Sequence, residues 1–117
     1  MTQDNPTPDQ SPVTNSQTAH QLIGRGWMNN AKHQYKEAAD DFRRAIELDG
    51  GLIDAHYGLG ISERRLDATD KAVESLKKAL ELADDESTII DPPRRTILRQ
   101  MIGSQLSILI DLNNQEA

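Results

Sequence analysis

Few side chains in this sequence are of a kind that does chemistry, and their spacing limits what they can do. Three histidines, His20, His33 and His56, stand far apart, and cysteine is absent. Histidines that hold zinc come at ligand spacing on one helix or alternate with cysteine or carboxylate donors. These three do neither, and a site shared by His20 and His56 would need further donors. Glu37, Asp40 and Asp41 cluster near the expected start of a helix, where carboxylates stabilise the helix dipole without doing acid–base work. No glycine-rich phosphate loop and no nucleophile motif appears. The sequence therefore predicts no catalytic residue, no cofactor, no metal and no enzyme. Arg64, Arg65, Arg94, Arg95 and Arg99 could face an acidic partner, but Asp67, Asp70 and Asp84 to Glu86 balance them. Such runs usually form a solvated face, and that is the expectation here.

Contact chemistry is better represented. Ile23 with Trp27, and Tyr57 with Ile61, are two i, i+4 pairs whose members stand at one constant offset from each other. On adjacent parallel helices they would lie side by side, either as an apolar floor for a bound segment or as packing between the helices. Aromatics make up only 3% of the chain, so the same residues are also the obvious core material.

The elements that must position these pairs follow from a repeat. Gly26, Ala38, Ala45, Glu47 and Leu48 return at that same offset as Gly60, Ala72, Ala79, Glu81 and Leu82, and Phe42–Leu48 reads in register with Leu76–Leu82. A period of roughly 34 residues marks an array of helical hairpins, each burying its apolar face against the next. Helical spacing predicts a first helix over about 18–32, a second over 35–48, a third over 53–66 and a fourth over 69–83. Gly50-Gly51 is expected to end the second helix through a left-handed glycine. Gly26 should approach Ala38, and Gly60 should approach Ala72. Asp91-Pro92 reads as the N-cap and first turn of a fifth helix reaching about Leu112.

The domain plan is a disordered tail over 1–16, rich in Pro, Thr and Asn, then one helical domain over 17–112, then a short tail over 113–117. Within the domain, units cover 19–52 and 53–86, and the last helix covers 92–112. The formal charge of −6 argues against a nucleic-acid platform, which needs a basic footprint. No apolar run approaches the roughly 20 residues of a membrane span, and no secretory signal is visible. A cytoplasmic protein that engages neither nucleic acid nor membrane is the expectation.

Gly26, Ala38, Phe42 and Ala45, then Leu59, Gly60, Ala72, Leu76 and Ala79, resemble the signature of the tetratricopeptide repeat family. Leu22 and His56 stand where that family's first aromatic falls, Asn29 and Glu63 replace its tyrosine, and Gly50 and Asp84 replace its proline. The resemblance implies an all-α helical-repeat array, two hairpins plus a fifth helix, acting as an adaptor for a protein or peptide. By the family's pattern the concave groove would be lined by His20, Ile23, Trp27 and Asn30 beside Asp54, Tyr57, Ile61 and Arg64. Gln100, Ser104 and Ser107 would follow if the fifth helix stacks as a third unit. The family's chaperone-tail binders use Lys and Asn on these faces, where this chain has Ile23, Trp27, Tyr57 and Ile61, so an acidic chaperone tail is not the expected ligand.

The fifth helix is too apolar for a simple cap. Ile97, Met101, Ile108, Leu112, Leu98, Leu109 and Ile102 share one arc, and Leu106 and Ile110 widen it to about 220° at about 100° per residue. Either the preceding insertion folds over it through Ile89 and Ile90, or a second protein covers it. The simplest version of the latter is a homodimer with Leu106 and Ile110 in its interface. A small-molecule binder or enzyme has no residue constellation behind it.

Overall fold

The computed structural model describes residues 14–116, with side chains as far as residue 112. It contains five helices: α1 (Asn15–Ala31), α2 (Tyr35–Leu48), α3 (Ile53–Arg65), α4 (Thr69–Asp84) and α5 (Pro92–Glu116). Most of the expected N-terminal tail, residues 1–13, lies outside the described residues. The chain is helical sooner and for longer than its sequence suggested. Thr14 and Gln17 close a reciprocal capping box, with Thr14 Oγ1 accepting from the Gln17 amide at 3.0 Å and Gln17 Oε1 accepting from the Thr14 amide at 2.7 Å. Two orphan amides are thereby satisfied, and α1 starts at Asn15 within the supposed tail. At the other end α5 continues to Glu116, past the expected stop at Leu112.

α1–α2 and α3–α4 are antiparallel hairpins, and each hairpin turns in the same way. In the first, Gln34 N donates to Asn29 O at 2.8 Å and His33 N to Asn30 O at 3.0 Å. At the equivalent positions of the second, Ala68 N donates to Glu63 O at 2.9 Å and Asp67 N to Arg64 O at 3.1 Å. This is a Schellman closure, which requires a left-handed residue after the helix. His33 (φ 62) and Asp67 (φ 61) supply it. The expected left-handed glycine at Gly50-Gly51 is not found: no described glycine has positive φ. There the chain leaves α2 through an extended Asp49, whose carboxylate accepts from the Gly51 amide at 3.2 Å. A reversal tight enough to need αL occurs within a hairpin, whereas the step between hairpins is an open Asx turn.

Two apolar clusters run through the stack. The first joins α1, α2 and the start of α3 around Phe42, which is fully buried, and the second joins α3, α4 and α5 around Leu76, Ile102 and Leu109. Glycine makes room for the largest of these side chains. A Cβ on Gly26 would come within 2.8 Å of the Phe42 ring, and one on Gly58 would overlap it further. Likewise a Cβ on Gly60 would meet Leu76 at 2.7 Å and Ala72 O at 3.4 Å. The Gly60–Ala72 approach is thus as expected, while Gly26 faces the Phe42 ring first.

α5 packs against α4 as α3 packs against α2. Asp91 caps it, its carboxylate accepting from the Arg94 amide at 3.2 Å. Arg95 ties the insertion down by donating to the carbonyls of Ala83, Asp85 and Thr88 at 2.5, 3.1 and 2.9 Å. Two contacts between hairpins fix the register of α5. Ser62 with Asn30 (3.0 Å) recurs as Gln105 with Arg64 (2.6 Å), and His56 with the Gly50 carbonyl (2.9 Å) recurs as Arg99 with the Asp84 carboxylate (2.8 Å). In both pairs the earlier partner advances by one period, and the later partner advances by the same larger step. α5 is therefore the first helix of a third unit, set back by a short insertion.

Replacing Asp67 by glycine should stabilise the fold by about 0.5–1 kcal/mol, because the left-handed conformation costs a side-chain-bearing residue roughly 1–2 kcal/mol and glycine returns part of that as chain entropy. Urea midpoints measure it; an unchanged or lower midpoint would remove the αL strain from the account. A second pair separates packing from propensity. Gly24→Ala, with open space at its Cβ, should stabilise by up to about 1 kcal/mol. Gly58→Ala should destabilise by about 1–3 kcal/mol despite the same propensity gain, because it overpacks Phe42.

Candidate functional site

α1 and α3 lie side by side and carry the expected groove residues along one face. At its centre the Trp27 and Tyr57 rings are 6.0 Å apart at 41°, while Trp27 also meets Phe42 edge-on at 5.3 Å. Trp27, Tyr57 and Ile61 are all half-buried. The packing considered for the aromatics is therefore present, and part of each ring remains open. Burial pushes the Tyr57 phenol upward, so it stays a neutral hydroxyl at the edge of this strip.

Ile23 departs from expectation. It is 7% exposed and belongs to the first core cluster, because the α1–α3 contact closes over it. It contributes to the face only as part of the wall of a hollow at the N-terminal ends of α1 and α3. That hollow has a volume of about 450 Å³, and its apolar wall includes Ile23, Leu52, Ile90 and Leu98, with His20, Asp54 and Arg94 at the polar positions. The side chains of His20 and Asp54 are exposed. His20 Nδ1 must carry a proton, since its neighbour at 2.8 Å is the Ser16 carbonyl, which can only accept. Sequence reading missed the hollow because the insertion over 85–91 supplies one of its walls.

At the opposite end of the face, Asn30 and Arg64 are engaged with the next helix. Ser62 Oγ lies 3.0 Å from both Asn30 Oδ1 and the Gly58 carbonyl, leaving Asn30 Nδ2 buried without a partner. Turning the Asn30 amide over lets Nδ2 donate to Ser62 Oγ while Ser62 donates to Gly58, which satisfies both donors. Arg64 donates to Gln105. These two residues hold neighbouring helices together and offer less to a ligand than their position implied.

The remaining polar candidates are structural. His56 is buried and donates from Nε2 to the Gly50 carbonyl. Among the described residues no three His, Cys, Asp or Glu side chains converge on a metal position. The arginines do not form one patch: Arg64, Arg95 and Arg99 are each paired as described, and Arg65 lies 6.0 Å over the Tyr35 ring. Asp41 carries a role the sequence did not disclose. It is 3% exposed and accepts from Arg25 Nε at 3.0 Å and Asn29 Nδ2 at 2.8 Å, a pairing that raises the Arg25 pKa through the hydrogen bond and the adjacent charge. The repeat held a signal for it. Asn29 and Asp41 stand in register with Glu63 and Ser75, which bond to each other at 2.6 Å with donor and acceptor exchanged.

On α5, Leu106 is also corrected. It is 7% exposed and packs within the second cluster, because it faces back towards α4. Ile110 remains 42% exposed, and Ile97, Met101, Ile108 and Leu112 form a further open stripe. Of the insertion, Ile90 packs on the core and Ile89 is fully exposed.

No helix among the described residues is long and apolar enough to cross a membrane. The tetratricopeptide repeat model matches residues 53–86, one full period that contains both α3 and α4. α1–α2 reproduce that hairpin in turn, glycine position and interhelical contact, and α5 repeats its first helix. Residues 53–86 are thus a tetratricopeptide repeat, set within an all-α array of two hairpins and a fifth helix.

Proposed function

We propose that this chain is a non-catalytic adaptor that holds a segment of a partner protein along the face shared by α1 and α3. Repeats of this family generally mediate protein–protein interaction. The observation that carries the reading is the half-open strip of Trp27, Tyr57 and Ile61 leading to the hollow beside His20 and Asp54. A buried aromatic flank holds the strip rigid, so little side-chain entropy is lost on binding. The hollow is large enough for one bulky apolar side chain, and His20, Asp54 and Arg94 at its edge would set the register of the segment's polar groups. Trp27, Tyr57 and Ile61 act as anchors in this scheme, while Ile23 supports them from beneath.

A photoreactive residue at position 61 should crosslink a discrete partner in native lysate, and one at exposed Lys77 on α4 should not. Ile61→Lys should weaken that partner's affinity tenfold or more, the loss of at least about 1.4 kcal/mol, with melting shifted by no more than a few degrees. Equal capture from positions 61 and 77 would overturn the groove as the binding face.

A second reading is favoured by the open stripe of α5. Ile97, Met101, Ile108 and Leu112 recur at spacings that keep them on one side of the helix, the pattern of a helix–helix seam. Two copies meeting antiparallel along it would make a homodimer independent of the groove. Light scattering of the wild type should then give twice the monomer mass, and Ile108→Lys with Leu112→Lys should halve it. A wild-type monomer at several hundred micromolar, on the order of millimolar-weak association, would discard this reading.

A further inference from the structure

The three units differ in what fills their glycine positions. Gly26 on α1 receives Phe42 from α2, and Gly60 on α3 receives Leu76 from α4. Their counterpart on α5, in the register fixed by the Arg64–Gln105 and Asp84–Arg99 contacts, is Gly103. A Cβ placed there would meet nothing within 4 Å. The space beside it is a hollow of about 310 Å³ walled by Leu80, Asp84, Thr96, Arg99, Gln100 and Gly103. It lies on a different side of α5 from the Ile97–Leu112 stripe.

We infer that this hollow is a receptor for an amphipathic helix of a partner protein, seated on α5 as α2 sits on α1 and α4 on α3. The interface is continuous with one already present twice in the chain, and that repetition specifies the occupant. α2 presents Ala38, Asp41, Phe42 and Ala45 to its partner helix, and α4 presents Ala72, Ser75, Leu76 and Ala79. Small residues at the outer positions permit close approach, and the large one fills the glycine gap. The second position pairs with Asn29 on α1 and with Glu63 on α3; on α5 the corresponding residue is Leu106. Leu106 is packed against α4 with only its edge exposed and offers no hydrogen-bond partner, so a polar side chain brought to that edge would go unpaired and the occupant is apolar there. The helix recognised thus reads small, two variable residues, apolar, large apolar, two variable residues, small. Its C-terminal end would lie beside the Arg99–Asp84 pair at the N-terminal part of α5.

The test uses a synthetic peptide with the sequence of α4, Thr69–Asp84, carrying Ser75→Leu, titrated into the full isotope-labelled chain. Saturable shifts should centre on the amides of Gly103, Thr96, Arg99 and Ile110, with an affinity on the order of 100 μM, since a short helix must order on binding. Gly103→Leu puts a side chain into the hollow from a position where an added Cβ meets nothing within 4 Å. It should weaken peptide binding at least tenfold while helicity and melting temperature hold or rise. Restoring Ser75 in the peptide should also weaken binding, and Ile61→Lys in the protein should leave it unchanged. No saturable binding, shifts centred on Gly60 from displacement of α4, or binding indifferent to Gly103→Leu would each overturn the inference. Loss of binding with Ile61→Lys alone would assign the peptide to the α1–α3 face instead.

Discussion

The packing of one aromatic ring against two glycines governs how the first three helices meet. Phe42 projects from α2 into space that Gly26 leaves on α1 and Gly58 leaves on α3. A Cβ at either glycine would push a helix outward. Each helix therefore comes close enough for Trp27 to rest edge-on against the buried ring and reach Tyr57 on its other side. The half-open strip on the outer face is a direct consequence of that close approach. In the second unit the corresponding large residue is Leu76, which meets Gly60, while the position in register with Gly58 is Met101.

Polar contacts settle register where apolar packing is permissive. Apolar surfaces of neighbouring helices can slide with modest cost, but a buried carboxylate cannot lose its donors cheaply. Asp41 with Arg25 and Asn29, and Glu63 with Ser75, therefore lock each hairpin along its length. Between hairpins the same task falls to Asn30–Ser62 and Arg64–Gln105. These contacts explain why Asn30 and Arg64, placed on the groove by position alone, are partly withdrawn from it.

The repeat made the helices and their pairing legible in the sequence, because its fixed period couples glycine, alanine and large apolar positions to one geometry. Tyr35–Leu48 and Ile53 onward were readable for that reason. Legibility failed where a residue's role depends on contacts far along the chain. Ile23 and Leu106 are apolar residues on helices with more than one apolar side, and periodicity could not say which side closes. Gly50-Gly51 looked like a left-handed stop, yet the strain of αL fell on His33 and Asp67, where the tighter reversal demands it. The T-x-x-Q capping box at Thr14 was a local signal in plain sight, masked by the prolines that precede it.

A stack of this kind leaves one helix at its end with a side that the fold itself does not cover. Repeat arrays ordinarily give that helix a polar outer surface. α5 has Gly103 in register with Gly26 and Gly60, which each admit a large side chain from the following helix, and has Leu106 where the earlier units have Asn29 and Glu63. Glycine within a helix costs about 1 kcal/mol relative to alanine. At Gly26 and Gly60 that cost is offset by the packing it permits. At Gly103 no described residue offsets it, and in the inferred complex the partner helix's large side chain would supply that compensation.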